Sequence, residues 1–300
     1  MPRCISGWRP SRTARSRPRG LPAPRAPCDC LDPANPAELP LDVLRKRADG
    51  ADEDAKEDKG DDRDKETARS PLLSFSNTDM AFAGDVLVTG NYHGLNIYRL
   101  GEGGVPQLLS SVVCPGSQGD VSIVGDLLIM SVEETRGRLD CGLEGIGEDV
   151  SAERFRGIRI FDISDLARPQ QVGAVQTCRG SHTHSVVAAD DDRIIVYNSG
   201  TSTIRDEEEL AGCSDIPGDV RTALFRIDVI EIPVDDPSAA RIVDSPAVFA
   251  DPETGSLAGL WRGGDHGDET QETNRTDQCH DITVFPAGNL AAGACSGNGI

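Results

Sequence analysis

Lysine is absent from residues 71–300, aromatic side chains make up only 4% of the chain, and no apolar run is long enough to span a bilayer. A helical crossing needs ~20 consecutive apolar residues, so the last shortage leaves no transmembrane segment to be read. Acidic residues number 50 against 30 basic ones, for a net charge of −20. That balance excludes a general nucleic-acid partner, whose phosphates call for clustered Lys and Arg. Scarce aromatics leave packing to small and β-branched side chains. Catalytic signatures are missing too: there is no G-x-S-x-G elbow, P-loop or H-E-x-x-H helix. Gly142, Gly145 and Gly147 lack the following helix of a dinucleotide site and read as turn glycines.

What is present divides unevenly. Residues 1–27 carry seven Arg and no acid, with prolines that would break a transit-peptide helix and no apolar stretch that would make a readable secretory signal. Residues 28–70 add eight basic and fourteen acidic residues, much of it low-complexity sequence that cannot bury enough apolar surface to order itself. The expectation is disorder over 1–70 and a folded unit over 71–300.

From Leu72 onward, short apolar or alternating runs are separated by Gly, Asp and Pro, the pattern of strands and turns. The runs repeat. DMAFAGDVLVTGNYHGLNIYRL begins at Asp79, DVSIVGDLLIMSV at Asp120, HSVVAADDDRIIVYNS at His184 and HDITVFPAGNLAAGAC at His280. Each opens a unit of strand, tight turn, strand, loop, strand, Asp-Pro-type turn, strand. The first two starts lie 41 residues apart and the next at intervals of 64 and 96, lengthened by polar loops at 132–156, 199–222 and 251–278. A period of ~40–45 residues is that of propeller blades. The predicted class is therefore all-β: a β-propeller of four-stranded antiparallel blades, incomplete, with about three and a half blades present. An open ring of this kind exposes blade edges and an apolar blade face, which predicts poor solubility or pairing of domains.

The segment FDISDLARPQQVGAV, with IRI before it and HTHSVV after it, resembles the LVIVD-repeat family of bacterial β-propellers. GNYHGLNIYRL, GSQGDVSIVGDLLIMSV and CHDITVFPAGNLAAGAC fit its actinobacterial, secreted branch. The resemblance implies an extracellular or cell-surface scaffold that binds a protein, glycan or other ligand on its loop face. Members of that family usually start with a secretory signal and continue through further blades, so the resemblance also implies a fragment.

Nine cysteines fall as Cys4, Cys28 and Cys30 in the first segment and Cys114, Cys141, Cys178, Cys213, Cys279 and Cys295 in the repeats. Six in a region that resembles exported proteins imply disulfides, with fifteen connectivities open. Cys114 and Cys178 end equivalent outer strands, Cys141 and Cys213 sit in equivalent loops, and Cys279 with Cys295 brackets a hairpin. Zinc thiolates are the competing reading, although no C-x-x-C occurs in the repeats.

Only five histidines occur. His182 and His184 share a face of one extended strand, and His184 aligns with Asp79, Asp120 and His280 at the inner-strand starts. Those positions line one mouth of a propeller channel, where imidazoles and carboxylates together suit a divalent metal such as zinc, iron, copper or manganese. A metal-dependent oxidoreductase or hydrolase would follow, with His266 in the long loop closing over it. The competing reading makes the same residues caps that bond the backbone of the neighbouring blade. His93 reads as a turn residue.

Overall fold

A computed structural model describes residues 76–300 apart from 217, 220, 249–250, 252–253, 255–276, 296–297 and 300. The reading of 1–70 as disordered, most of the loop at 251–278, and His266 lie outside the described residues.

The strands are β1 (Asn77–Ala83), β2 (Val86–Asn91), β3 (Gly94–Leu100), β4 (Pro106–Val113), β5 (Val121–Val124), β6 (Leu127–Val132), β7 (Gly157–Asp162) and β8 (Gln170–Gln176). They continue with β9 (Thr183–Ala189), β10 (Arg193–Ser199), β11 (Asp228–Pro233), β12 (Arg241–Asp244), β13 (Cys279–Phe285), β14 (Leu290–Cys295) and β15 (Asn298–Gly299). Pairing is antiparallel throughout and follows chain order. It gives three four-stranded sheets, β1–β4, β5–β8 and β9–β12, and a three-stranded sheet β13–β15. The chain is all-β, and these sheets are the blades of an incomplete β-propeller.

Local sequence explains each blade. Gly84 and Gly125 take left-handed φ (60° and 58°) in the two-residue Gly-Asp turns that join the first two strands of their blades. In the Asp-Ile-Ser-Asp turn after β7, the Asp162 carboxylate accepts from the Ser164 N–H at 2.8 Å and Asp165 accepts from Ala167 at 3.1 Å, an Asx-type reversal.

Packing occurs between blades. β6 is buried at every position because its run LLIMSV serves two interfaces. Leu128 and Met130 pack towards the first blade with Val88, Leu95 and Ile97, while Leu127 and Ile129 pack towards the third with Ile194 and Val196. This is the apolar-on-both-faces pattern of a covered strand. A single sheet could not bury both faces, so each blade depends on its neighbours.

The third blade departs from the repeat reading. Its third strand begins at Asp228, later than the run starting at Leu224, because Phe225 adopts a left-handed φ of 49° and donates its N–H to Asp277 O at 2.7 Å. The inserted loop thus extends to residue 227. The six cysteines of the repeats stand in three disulfide pairs, Cys114–Cys141, Cys178–Cys213 and Cys279–Cys295.

Candidate functional site

Antiparallel order places the start of each inner strand, the end of the second, the start of the third and the end of the fourth at one end of the blade. The loops 133–156, between β6 and β7, and 200–227, between β10 and β11, therefore rise from the same end as Asp79, Asp120 and the histidine segment. Everything singled out in the sequence as chemically suggestive, among the described residues, gathers there.

The inner-strand residues join blade to blade. The Asp79 carboxylate accepts from the Val121 N–H at 3.0 Å, and Asp120 Oδ2 accepts from the His184 N–H at 2.6 Å. Thr78 and Gly119 exchange hydrogen bonds at 3.1 Å in each direction, and a Cβ on Gly90 would lie 1.8 Å from Gly119 O, so the blades approach too closely there for any side chain. Thr183 Oγ1 donates to His280 O at 2.8 Å, and the Ser185 hydroxyl to Ile282 O. Carboxylates and hydroxyls of the inner strands thus form a clasp running through the successive blades.

His184 lies inside that clasp, with a fully buried side chain. Its Nδ1 is 2.8 Å from Ser131 Oγ and 3.1 Å from Asp120 Oδ2, while its buried Nε2 has no hydrogen-bond partner among the described residues. A serine, a histidine and an aspartate here converge on one ring nitrogen. A hydrolytic triad needs the serine on one nitrogen and the carboxylate on the other, and Ser131 is itself fully buried. The trio is an anchor for the strands, without the geometry of a proton relay.

The register refines the alignment of the fourth unit. Asp79 pairs with Gly90, and after a bulge at His280 it is Asp281 that pairs with Ala294 at the corresponding step. Asp281, rather than His280, therefore continues the series of Asp79, Asp120 and His184. His280 stays exposed, its Nδ1 3.0 Å from Asp281 Oδ2, and its ring meets that of His182 with centroids 4.0 Å apart. His182 Nδ1 contacts Glu133 Oε1 at 2.8 Å, and Glu133 accepts from Thr201 Oγ1 at 2.7 Å. Among the described residues no group of three or more His, Cys, Asp or Glu side chains is arranged to hold a metal ion. Ser131, Glu133 and Asp281 were not legible as partners; the polar Ser-Val-Glu end of the apolar run before residue 134 was the signal for the first two.

Charge is distributed unusually across the clasp. Burial, and then a hydrogen bond with Asp79, push the Asp120 carboxyl from its usual 3.8 up to about 7, while burial pushes His184 down to about 4. Between pH 4 and 7 the folded Asp120 keeps a proton that the unfolded chain has lost, so this group makes stability fall as pH rises. Between pH 4 and 6.5 the unfolded His184 holds a proton that the folded one lacks, so stability rises with pH. The two slopes oppose each other over the shared window. Asp120→Asn fixes the neutral form, with its amide oxygen still able to accept from His184. We expect the variant to match the parent near pH 4 and to be more stable by at least ~1 kcal/mol at pH 8. Urea denaturation at both values checks this; a variant weaker than the parent at pH 8 would refute it.

The loops at this end of the blades are built, each through its own contacts. Cys114–Cys141 straps the outer edge of the first blade to loop 133–156, and Cys178–Cys213 straps the second blade to loop 200–227. Arg159 is fully buried, reaches the Arg138 and Leu139 carbonyls, and stacks 4.3 Å from the Phe155 ring. The two loops meet through Glu209, which is 1% exposed and pairs with Arg154 and with Arg205, the latter at 2.5 Å. Glu209 also accepts from the Ser151 N–H at 2.9 Å. Arg156, buried beside Arg154 and Arg205, is pushed down to about 10, chiefly by desolvation, and donates to Thr203 O at 2.8 Å. On this framework Leu139, Leu143, Val150 and Ile216 stand exposed.

No family model matches the chain, and no curated protein does. Among solved structures, it is similar to a protein from Lactobacillus plantarum at 11% identity and a TM-score of 0.31, over 72% of this chain and 76% of that one. It is also similar to the computationally designed Ika8 protein at 8% identity and a TM-score of 0.18, over 74% and 94% of the two chains. The fold assignment stands on the strand pairing itself. Among the described residues no helix is long and apolar enough to cross a membrane.

Proposed function

We propose that the chain is an extracellular β-propeller scaffold of the LVIVD-repeat kind that binds a protein ligand on its loop face. Three disulfides support an oxidising compartment. The observation that carries the binding role is the exposure of Leu139, Leu143, Val150 and Ile216 on two loops that are otherwise tied down by buried ion pairs and disulfides. A loop held so firmly has polar ways to meet water, yet it presents apolar side chains. Apolar groups presented on a rigid support suit a protein surface. A sugar-binding reading is less favoured, since these loops contribute no exposed aromatic ring against which a pyranose would stack.

The test replaces Leu139, Leu143, Val150 and Ile216 together by Ser. Because all four are exposed, the melting temperature should stay within a few degrees of the parent. The immobilised parent should retain a protein from the source organism's surface fraction that the variant does not. Equal retention by both would remove the loop face from the binding role.

A further inference from the structure

The junction between loops 133–156 and 200–227 buries more positive charge than it neutralises. Arg154, Arg156 and Arg205 are all buried, and each lies within electrostatic reach of the others. Among the described residues, Glu209 is the one carboxylate that pairs with any of them. Three guanidiniums thus share a single anion. The shortage falls on Arg156. Every side-chain nitrogen of Arg154 and Arg205 donates to Glu209 or to a carbonyl oxygen. Arg156 meets only neutral acceptors, Thr203 O at 2.8 Å, Ser202 Oγ at 3.2 Å and Thr203 Oγ1 at 3.3 Å, and all three bonds leave from Nη1. Its buried Nε has no hydrogen-bond partner among the described residues. The guanidinium stays charged at neutral pH even though burial lowers its pKa to about 10. A buried charge is costly unless an opposite charge accompanies it.

We propose that this junction binds a chloride ion, held on the Nε–H of Arg156 and drawn by the surplus charge of the three guanidiniums. Burial limits the size of the occupant. Arg156 is 5% exposed, which leaves no approach for a carboxylate carried on another protein chain, whereas a monatomic ion enters through local opening of the loops. Chloride also needs no orientation, so one N–H and a local field suffice to hold it. Sulfate or phosphate would bring more oxygens than a single N–H can satisfy and would lose more hydration on entry. The chain as a whole repels anions at a net charge of −20, so binding would mark a local surplus of positive charge. The ion would complete the seam between the two loops and make chloride a ligand of the folded state. This inference does not rest on the proposed protein ligand.

Thermal melts of the full chain at pH 7 test it, with sodium chloride replacing sodium gluconate at fixed ionic strength. The parent midpoint should rise and saturate, gaining about 3–6 °C when chloride stands at ten times its dissociation constant. Arg156→Gln keeps a donor for Thr203 O and removes the charge. It should bind chloride about tenfold more weakly or worse and melt alike in the two salts. Broadening of the chloride quadrupolar resonance, present with the parent and lost with the variant, reports the ion directly. Crystals of the parent grown in sodium bromide supply a readout that needs no variant: an anomalous peak is expected beside Arg156 Nε. A parent midpoint indifferent to chloride, an equal rise in parent and variant, or bromide peaks that avoid Arg156 would each overturn the site.

Discussion

Glu209→Ala is expected to destabilise the folded chain by ~3–5 kcal/mol, the usual cost of removing one partner from a buried ion pair. Glu209 is 1% exposed and lies between Arg154 and Arg205, whose side chains are 6% and 1% exposed. Truncation leaves two guanidiniums out of water with no anion between them, and Arg156 close by adds a third positive charge. The Ser151 N–H loses its acceptor as well. Glu209→Gln keeps the shape and the acceptor oxygen, so it should recover part of the loss. Urea titrations at pH 7 on parent and both variants provide the check. A change below ~1 kcal/mol for Ala would mean that water reaches the cluster and that the pairs behave like surface ones.

Removing the Cys178–Cys213 disulfide by the double change to Ala should cost ~2–4 kcal/mol. The bridge closes 35 residues, a long loop whose freedom in the unfolded state the bond removes. The loss should be local before it is global. Thermal melts should show a lower midpoint, and hydrogen exchange should quicken in 200–216 while the amides of β6 and β7 keep most of their protection. Unchanged exchange across that loop would show that Glu209 and its arginines hold it without the bridge.

The blade pattern was legible because the physics that makes it is local. Apolar alternation and Gly-Asp turns mark β1 and β2 and again β5 and β6, and the doubly buried LLIM run betrays a strand covered on both sides. The clasp was legible in part. A polar residue before each inner strand suggested a cap on the neighbouring blade's backbone, and Asp79 and Asp120 make such contacts. The place of His280 was not readable, since a bulge moves the register by one residue and leaves the apolar pattern after it intact. Glu209 was hidden by its surroundings. It ends the run Asp206-Glu207-Glu208-Glu209, which on sequence alone reads as a solvated charge patch. Its spacing of four from Arg205 was the available clue, and nothing local says that Arg154, 55 residues earlier, completes the burial.

Two of the disulfide straps run from one blade to the next. Cys114 finds its mate 27 residues downstream and Cys178 finds its own 35 residues downstream, each in the loop of the blade that follows. Neither bridge can therefore close within a single blade, and each of these two thiols depends on the succeeding unit for its partner. Reduction would thus loosen the seams between neighbouring blades rather than the interior of any one of them, apart from the hairpin that Cys279–Cys295 closes on itself.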